Sequence, residues 1–177
     1  MSYKKESEGL QRDVIEFLTV AVEYCLFVEH ASERSREEFV STSLKLLPLL
    51  YLKGELLPET DDLYDDCPYD YVSEENYDVV RHNIAYVMGS ADDFLDVFVE
   101  DMRYSDQPVL CTVSELMADI YQDLKNFVVA YRDGTDSVRE GAVSLCRDNF
   151  IHYWGQRLLN VMRPLHDLLY NTDSTDD

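Results

Sequence analysis

Apolar residues recur at intervals of three and four along most of the chain, which is the spacing of one helix face. The clearest early example runs from about residue 9 to 31. Its apolar positions are Val14, Phe17, Leu18, Ala21, Val22, Cys25 and Val28. No stretch alternates apolar and polar residues convincingly, as a half-buried strand would. The pattern therefore predicts an all-α protein, a single helical bundle of about six helices.

Capping residues and glycines set the limits of the other helices. We expect these helices over about 36–53, 74–88, 91–103, 112–133 and 137–170. Proline removes one backbone hydrogen bond and clashes with the preceding turn. We therefore expect Pro48 to kink or break the second helix and Pro164 to kink the sixth.

The long C-terminal helix has two apolar stripes. One contains Val143, Cys146, Phe150, Trp154, Val161, Leu165 and Leu168; the other contains Ile151, Gly155, Leu159, Met162 and Leu169. A helix that is apolar on most sides is buried by neighbours on both. We therefore predict that this helix is central, with Gly155 letting another helix approach, and that the short Gly134 turn makes the fifth helix its antiparallel neighbour.

The composition favours one domain over residues 1–177, with an acidic linker at 54–72 and a frayed acidic tail at 171–177. Hydrophobic residues make up 46% of the chain, and 15 Lys and Arg face 36 Asp and Glu, for a net charge of −21. Residues 54–106 carry 2 basic and 16 acidic groups, a net charge of −14. This charge argues against direct nucleic-acid binding and against docking on anionic lipid.

The four cysteines, Cys25, Cys67, Cys111 and Cys146, include no pair at CxxC spacing. Free thiols in a reducing cytoplasm are expected. The first residues lack the apolar region of a signal peptide, and the most apolar early stretch is too short and too charged to span a bilayer. We therefore predict a cytoplasmic protein.

The linker alternates acidic and tyrosine residues, and exposed tyrosine is common at interfaces. The candidate acidic interaction surface is Asp61, Asp62, Tyr64, Asp65, Asp66, Tyr69, Asp70 and Tyr71. Neither calcium-loop register through these acids places the required ligands. A solvated acidic loop whose rings cover the edge of the bundle explains the same residues.

Two further groups of carboxylates are similar to the acidic pairs of helical magnesium-dependent nucleotide pyrophosphatases. They are Asp92, Asp93 and Asp96, and Glu115, Asp119 and Asp123. Carboxylates three or four residues apart share a helix face, but the spacing of that superfamily is not reproduced. Polar helix faces explain the same residues. We assign no catalytic residue, no cofactor and no structural metal, because the ligand spacing of every common site is absent.

A candidate ligand or partner surface comprises Asp119, Asp123, His152, Trp154, Arg157 and His166. A helical wheel places Arg157 on the core side, where a guanidinium needs a carboxylate partner. Asp123 lies nearest on the fifth helix and Asp119 is the reserve partner. The predicted Arg157–Asp123 pair either fixes the helix register or lines a pocket for an anionic ligand. The two histidines lie about 21 Å apart on a straight helix, so they cannot share one ion unless Pro164 bends the helix severely.

Three segments together resemble a known family. They are residues 46–52 with 56–58, residues 114–125, and residues 149–155 continuing to Leu165 and His166. The order of these segments and their residue sequences are similar to those of an uncharacterised bacterial all-helical family, known as a domain of unknown function. The resemblance covers nearly the whole chain. It implies a cytoplasmic bacterial helical domain and brings no catalytic residues.

The sequence favours a non-enzymatic interaction or regulatory module that presents an acidic surface to a protein partner, with a basic partner favoured by charge. One alternative is a magnesium-dependent nucleotide or phosphoester hydrolase. Another is a nucleic-acid mimic, since the acidic segment could occupy a basic groove. The oligomeric state is left open.

Overall fold

A computed structural model describes residues 2–59, 70–96 and 108–171, with side chains described from residue 11 onward. The elements in chain order are α1 (Ser2–Glu29), α2 (Arg36–Glu55), α3 (Glu74–Met88), β1 (Asp93–Asp96), β2 (Val109–Thr112), α4 (Val113–Asp133), α5 (Asp136–Asn149), a π-turn (Phe150–Trp154) and α6 (Gly155–Tyr170). The predicted all-α class and helical bundle are confirmed.

Helix α2 runs through Pro48 without ending, so the predicted break does not occur. The neighbours Leu47 and Leu50 are fully buried, and this packing holds the turn despite the lost hydrogen bond. The helix begins at a capping box formed by Ser35 and Glu38. The Ser35 hydroxyl accepts from the backbone amide of Glu38, and the Glu38 carboxylate accepts from the Ser35 amide, both at 3.2 Å.

The predicted fourth helix over 91–103 is wrong in its described part. Residues Asp93–Asp96 form a strand that pairs antiparallel with Val109–Thr112, in a register that sets Asp93 opposite Thr112. Asp92 fixes the start of this hairpin, because its carboxylate accepts from the backbone amide of Ser114 at 2.8 Å and from the Ser114 hydroxyl at 2.6 Å. This contact joins residues 22 positions apart. Residues 97–103 lie outside the described part of the chain.

The predicted sixth helix consists of α5, the π-turn and α6 in succession, so its regular α-helical geometry is interrupted at the π-turn. Pro164 lies inside α6 and does not end it. Gly155 ends the π-turn. A β-carbon there would lie 2.4 Å from the Phe150 carbonyl oxygen and 2.9 Å from the Phe150 ring. Gly155 therefore accommodates its own turn rather than another helix. Close approach between helices occurs at Gly54 of α2, where a β-carbon would lie 3.0 Å from both Phe150 and Trp154.

The core lies between the C-terminal helical run and the rest of the bundle. Helix α6 packs against α2 and α4, and α4 also contacts α1, α3 and α5. The ring of Trp154 lies 6.1 Å from Phe17 and 4.8 Å from Phe150, centroid to centroid, and Phe17 lies 5.2 Å from Phe127. This aromatic group joins α1, α4 and the π-turn, which places the C-terminal run at the centre of the packing.

None of the helices within the described ranges is long and apolar enough to cross a membrane. Cys25, Cys111 and Cys146 are free thiols. Burial raises the pKa of the Cys25 thiol far above its usual value, so this thiol is protonated and unreactive. Cys67 lies outside the described residues.

Candidate functional site

The predicted buried ion pair of Arg157 forms with the reserve partner, Asp119, and not with Asp123. The Arg157 Nε donates to Asp119 Oδ2 at 2.7 Å. Asp123 Oδ1 instead accepts from Asn149 Nδ2 at 2.6 Å. The helical wheel assumed a regular α-helix through Phe150–Trp154. The π-turn there holds more residues per turn, which rotates Arg157 relative to Asn149.

Asp119 is the centre of a polar cluster that we call the Asp119 cluster: Tyr77, Asp119, Asp123, Asn149, Tyr153 and Arg157. The second carboxylate oxygen of Asp119, Oδ1, accepts from the hydroxyl of Tyr77 on α3 at 2.8 Å. The guanidinium carbon of Arg157 lies 3.5 Å from the centroid of the Tyr153 ring. The cluster therefore joins α3, α4, the π-turn and α6 through one carboxylate.

The cluster is largely shielded from water. The Arg157 side chain is 29% exposed and that of Asp119 is 15% exposed. Burial, followed by the charge of Asp119, raises the pKa of Tyr77, which keeps its hydroxyl protonated as a donor. Both oxygens of Asp119 have donors, and Arg157 is neutralised by its partner. This arrangement is typical of a structural network that fixes how helices meet.

Asp123 is a buried carboxyl of the cluster, only 8% exposed. Burial raises the pKa of Asp123 to about 6. The hydrogen bond from Asn149 lowers this pKa, the charge of Asp119 raises it, and the charge of Arg157 lowers it. Asp123 therefore binds a proton more tightly in the folded chain than in the unfolded chain.

This raised pKa predicts a pH dependence of stability. Below the unfolded pKa the proton stays on Asp123 in both states. As the pH rises through about 6, the folded chain loses a contribution of about 3 kcal/mol. Asp123→Asn mimics the protonated form. Its free energy of unfolding, relative to the wild type, should therefore rise by up to about 3 kcal/mol between about pH 4 and about pH 8.

Chemical denaturation at several pH values measures this difference. Asp133→Asn is the matched control, because the pKa of Asp133 is lowered by its hydrogen bond to Arg132 and its side chain is solvent-exposed. The control difference should not grow toward high pH. A constant difference between Asp123→Asn and the wild type would show that Asp123 is not perturbed.

The other residues of the predicted ligand surface do not join the cluster. Trp154 is fully buried in the aromatic core, and its indole Nε1 donates to the Cys146 carbonyl at 3.2 Å. His152 and His166 are exposed. The His166 ring lies 4.8 Å from the Tyr170 ring on the outside of α6. The structure therefore brings together Asp119, Asp123 and Arg157 only.

The predicted acidic surface is described at its C-terminal end. Asp70 and Tyr71 are exposed. The other members, Asp61, Asp62, Tyr64, Asp65, Asp66 and Tyr69, lie outside the described residues. The side chain that holds this end was not predicted from the sequence. Asn126 Oδ1 accepts from the backbone amides of Tyr71 and Val72, each at 2.9 Å.

Asn126 is 5% exposed. The sequence feature that could have indicated this buried amide is its position between the apolar Leu124 and Phe127 of α4. Within the acidic linker at 54–72, Glu59 accepts from Arg147 of α5 at 2.9 Å. The described linker residues are thus held against the bundle at two places, Glu59 by α5 and Tyr71 with Val72 by α4.

The carboxylates considered for a magnesium site do not form a metal-ligand set in the described chain. Asp92 caps α4, and Asp96, on β1, accepts from Asn160 Nδ2 at 2.9 Å. Within residues 11–59, 70–96 and 108–171, no group of three or more His, Cys, Asp or Glu side chains could hold a metal ion. The described residues therefore supply no ligand set for that alternative.

The polar cluster, the hairpin and the helical run all lie within residues 8–171, which match the model of one protein family. The chain belongs to the DUF5063 family, a domain of unknown function. This DUF5063 chain is also similar to the crystal structure of protein BF1032 from Bacteroides fragilis, with 40% sequence identity and a TM-score of 0.82. The similarity covers 93% of this chain and 96% of that chain. No curated protein matches the sequence.

Proposed function

We propose that this DUF5063 chain is a non-enzymatic interaction module that binds a basic protein segment. The binding surface is the α3 acidic face, defined as Asp70, Glu74, Glu75, Asp78 and Val79. The observation that carries the proposal is the pairing of uncompensated charge with exposed apolar surface. Val79 is 54% exposed beside carboxylates that point into solvent.

The carboxylates of this face have little local compensation. Arg81 is the nearest cation along α3, and it pairs with Asp78 at 3.3 Å. Within the described chain, Asp70, Glu74 and Glu75 make no ion pair. Such a face produces a negative potential that attracts and orients a basic partner. The apolar Val79 supplies surface that such a partner can bury.

The face is also held on a fixed support. Asn126 anchors the chain just after Asp70, and the Ser73 hydroxyl caps α3 by accepting from the Asn76 amide at 3.2 Å. A preformed surface loses less conformational entropy when it binds. The Asp119 cluster supports the same surface from below, because Tyr77 ties α3 to α4. This gives the cluster a positioning role rather than a catalytic one.

Charge reversal on this face tests the proposal. The probe is a fluorescein-labelled amphipathic peptide of lysine and leucine, and its binding to the full chain is followed by fluorescence anisotropy. Glu74→Lys/Glu75→Lys should weaken binding by at least about tenfold, because two attractive charges become repulsive. A peptide in which glutamate replaces lysine should not bind.

Glu33→Lys/Glu37→Lys is the matched control, because it makes the same change in net charge at exposed residues near the start of α2. The control should bind the peptide nearly as well as the wild type. Equal losses in both variants would show that total charge, and not the α3 acidic face, governs binding. That result would overturn the proposal.

A further inference from the structure

A cavity of about 760 Å³ lies between strand β1 and helix α6. Its size falls within the range of about 300–1,000 Å³ that is typical of small-molecule sites. Among the described residues, its apolar lining includes Phe94 and Leu95 from β1 and Leu159 and Pro164 from α6. Leu95 is 65% exposed and Leu159 is 51% exposed, so apolar surface remains open to water here.

Arg163 lies at this cavity and differs from the other arginines of the described chain. Each of the others makes a hydrogen bond, an ion pair or a contact with an aromatic ring. Among the described residues Arg163 finds no such partner, and its side chain is exposed. In a chain with a net charge of −21, a cation without a carboxylate partner is available to an external anion.

The polar residues that line the cavity indicate which class of anionic ligand it could bind. Asp96 is 5% exposed and accepts from Asn160, which orients the Asn160 amide at the cavity. Asp167 also lines the cavity, four residues after Arg163. Two carboxylates near one guanidinium disfavour a multiply charged ligand such as a phosphate ester, because like charges repel. A single negative charge attached to an apolar body fits both the charge and the lining.

We propose that this cavity binds a small amphipathic monoanion, with its carboxylate on Arg163 and its apolar body against Leu95, Leu159 and Pro164. The Asn160 amide lines the same cavity and provides a further hydrogen-bonding group. This site is separate from the α3 acidic face and does not depend on the function proposed for that face.

Octanoate and its neutral counterpart 1-octanol test the proposal, with binding to the full chain followed by amide chemical shifts. Octanoate should shift amides of β1 and of α6 around Leu159 and Arg163. Arg163→Gln should weaken octanoate binding by about tenfold and leave octanol binding unchanged, because octanol has no charge to lose. Leu159→Ser, at an exposed position that does not threaten folding, should weaken both probes.

Arg132→Gln is the control, because Arg132 lies at the end of α4 and pairs with the exposed Asp133. It should bind octanoate like the wild type. The proposal is overturned if octanoate leaves the β1 and α6 amides unshifted at millimolar concentration. It is equally overturned if Arg163→Gln binds octanoate as tightly as the wild type, or if the two arginine variants lose the same affinity.

Discussion

Replacing Asp119 by alanine is expected to lower the free energy of unfolding by about 3 kcal/mol. The substitution leaves Arg157 without its carboxylate at a site where the Arg157 side chain is only 29% exposed, and it removes the acceptor of the Tyr77 hydroxyl. The expected loss lies at the lower end of the cost of about 3–5 kcal/mol for breaking a buried pair, and it exceeds the ~0–1 kcal/mol of an exposed pair. Urea denaturation followed by circular dichroism measures it.

Two further variants decide whether the stranded charge is the cause. Asp133→Ala removes the exposed Arg132–Asp133 pair and should leave the denaturation midpoint nearly unchanged. Asp119→Leu combined with Arg157→Leu removes both charges, so it should recover much of the stability lost in Asp119→Ala. If Asp119→Ala is as harmless as Asp133→Ala, the Asp119 cluster does not hold the helices together.

Replacing Trp154 by alanine is expected to cost about 3–5 kcal/mol, the range for truncating a fully buried large aromatic residue. Trp154 has no exposed surface, and its ring packs on Phe17 and Phe150. Trp154→Phe should cost less, because it keeps an aromatic ring and loses mainly the hydrogen bond to Cys146. Tyr170→Ala, at a residue that is 65% exposed, should change stability by no more than about 0.5 kcal/mol.

The fluorescence of the wild type provides an independent check on this burial, because Trp154 is the single tryptophan of the chain. Its emission should be blue-shifted and resistant to quenching by iodide until the chain unfolds. An emission spectrum typical of exposed indole in the native state would contradict the placement of Trp154 in the core and would restore it as a surface residue.

The helices that could be predicted are those whose ends are set by local chemistry. Ser35, Ser73 and Thr112 each accept a hydrogen bond from an amide three residues later, and the predicted starts of α2, α3 and α4 lie at these caps. The hairpin could not be predicted in this way. It depends on Asp92 reaching Ser114 and on the pairing of Asp93–Asp96 with Val109–Thr112. Both contacts join residues far apart in sequence.

The candidate site was predictable only in outline, because its geometry depends on the π-turn. The need of Arg157 for a carboxylate on α4 follows from its position, and the structure places Asp119 there. Predicting which of Asp119 and Asp123 pairs with Arg157 required knowledge of how the π-turn at Phe150–Trp154 rotates the helix. A β-carbon at Gly155 would lie 2.4 Å from the Phe150 carbonyl oxygen, so the π-turn needs glycine there, and no hydrophobic periodicity reveals this. The role of Asn126 likewise depends on a chain segment that lies 54 residues earlier.

The most direct test of the proposed interaction is an amide chemical-shift map of the full ¹⁵N-labelled chain titrated with the lysine–leucine peptide. The largest shifts should fall on the α3 acidic face, at Asp70, Glu74, Glu75 and Val79. These shifts should shrink as added salt screens the charges. Shifts of equal size around Glu33 and Glu37, or no shifts at the start of α3, would contradict it.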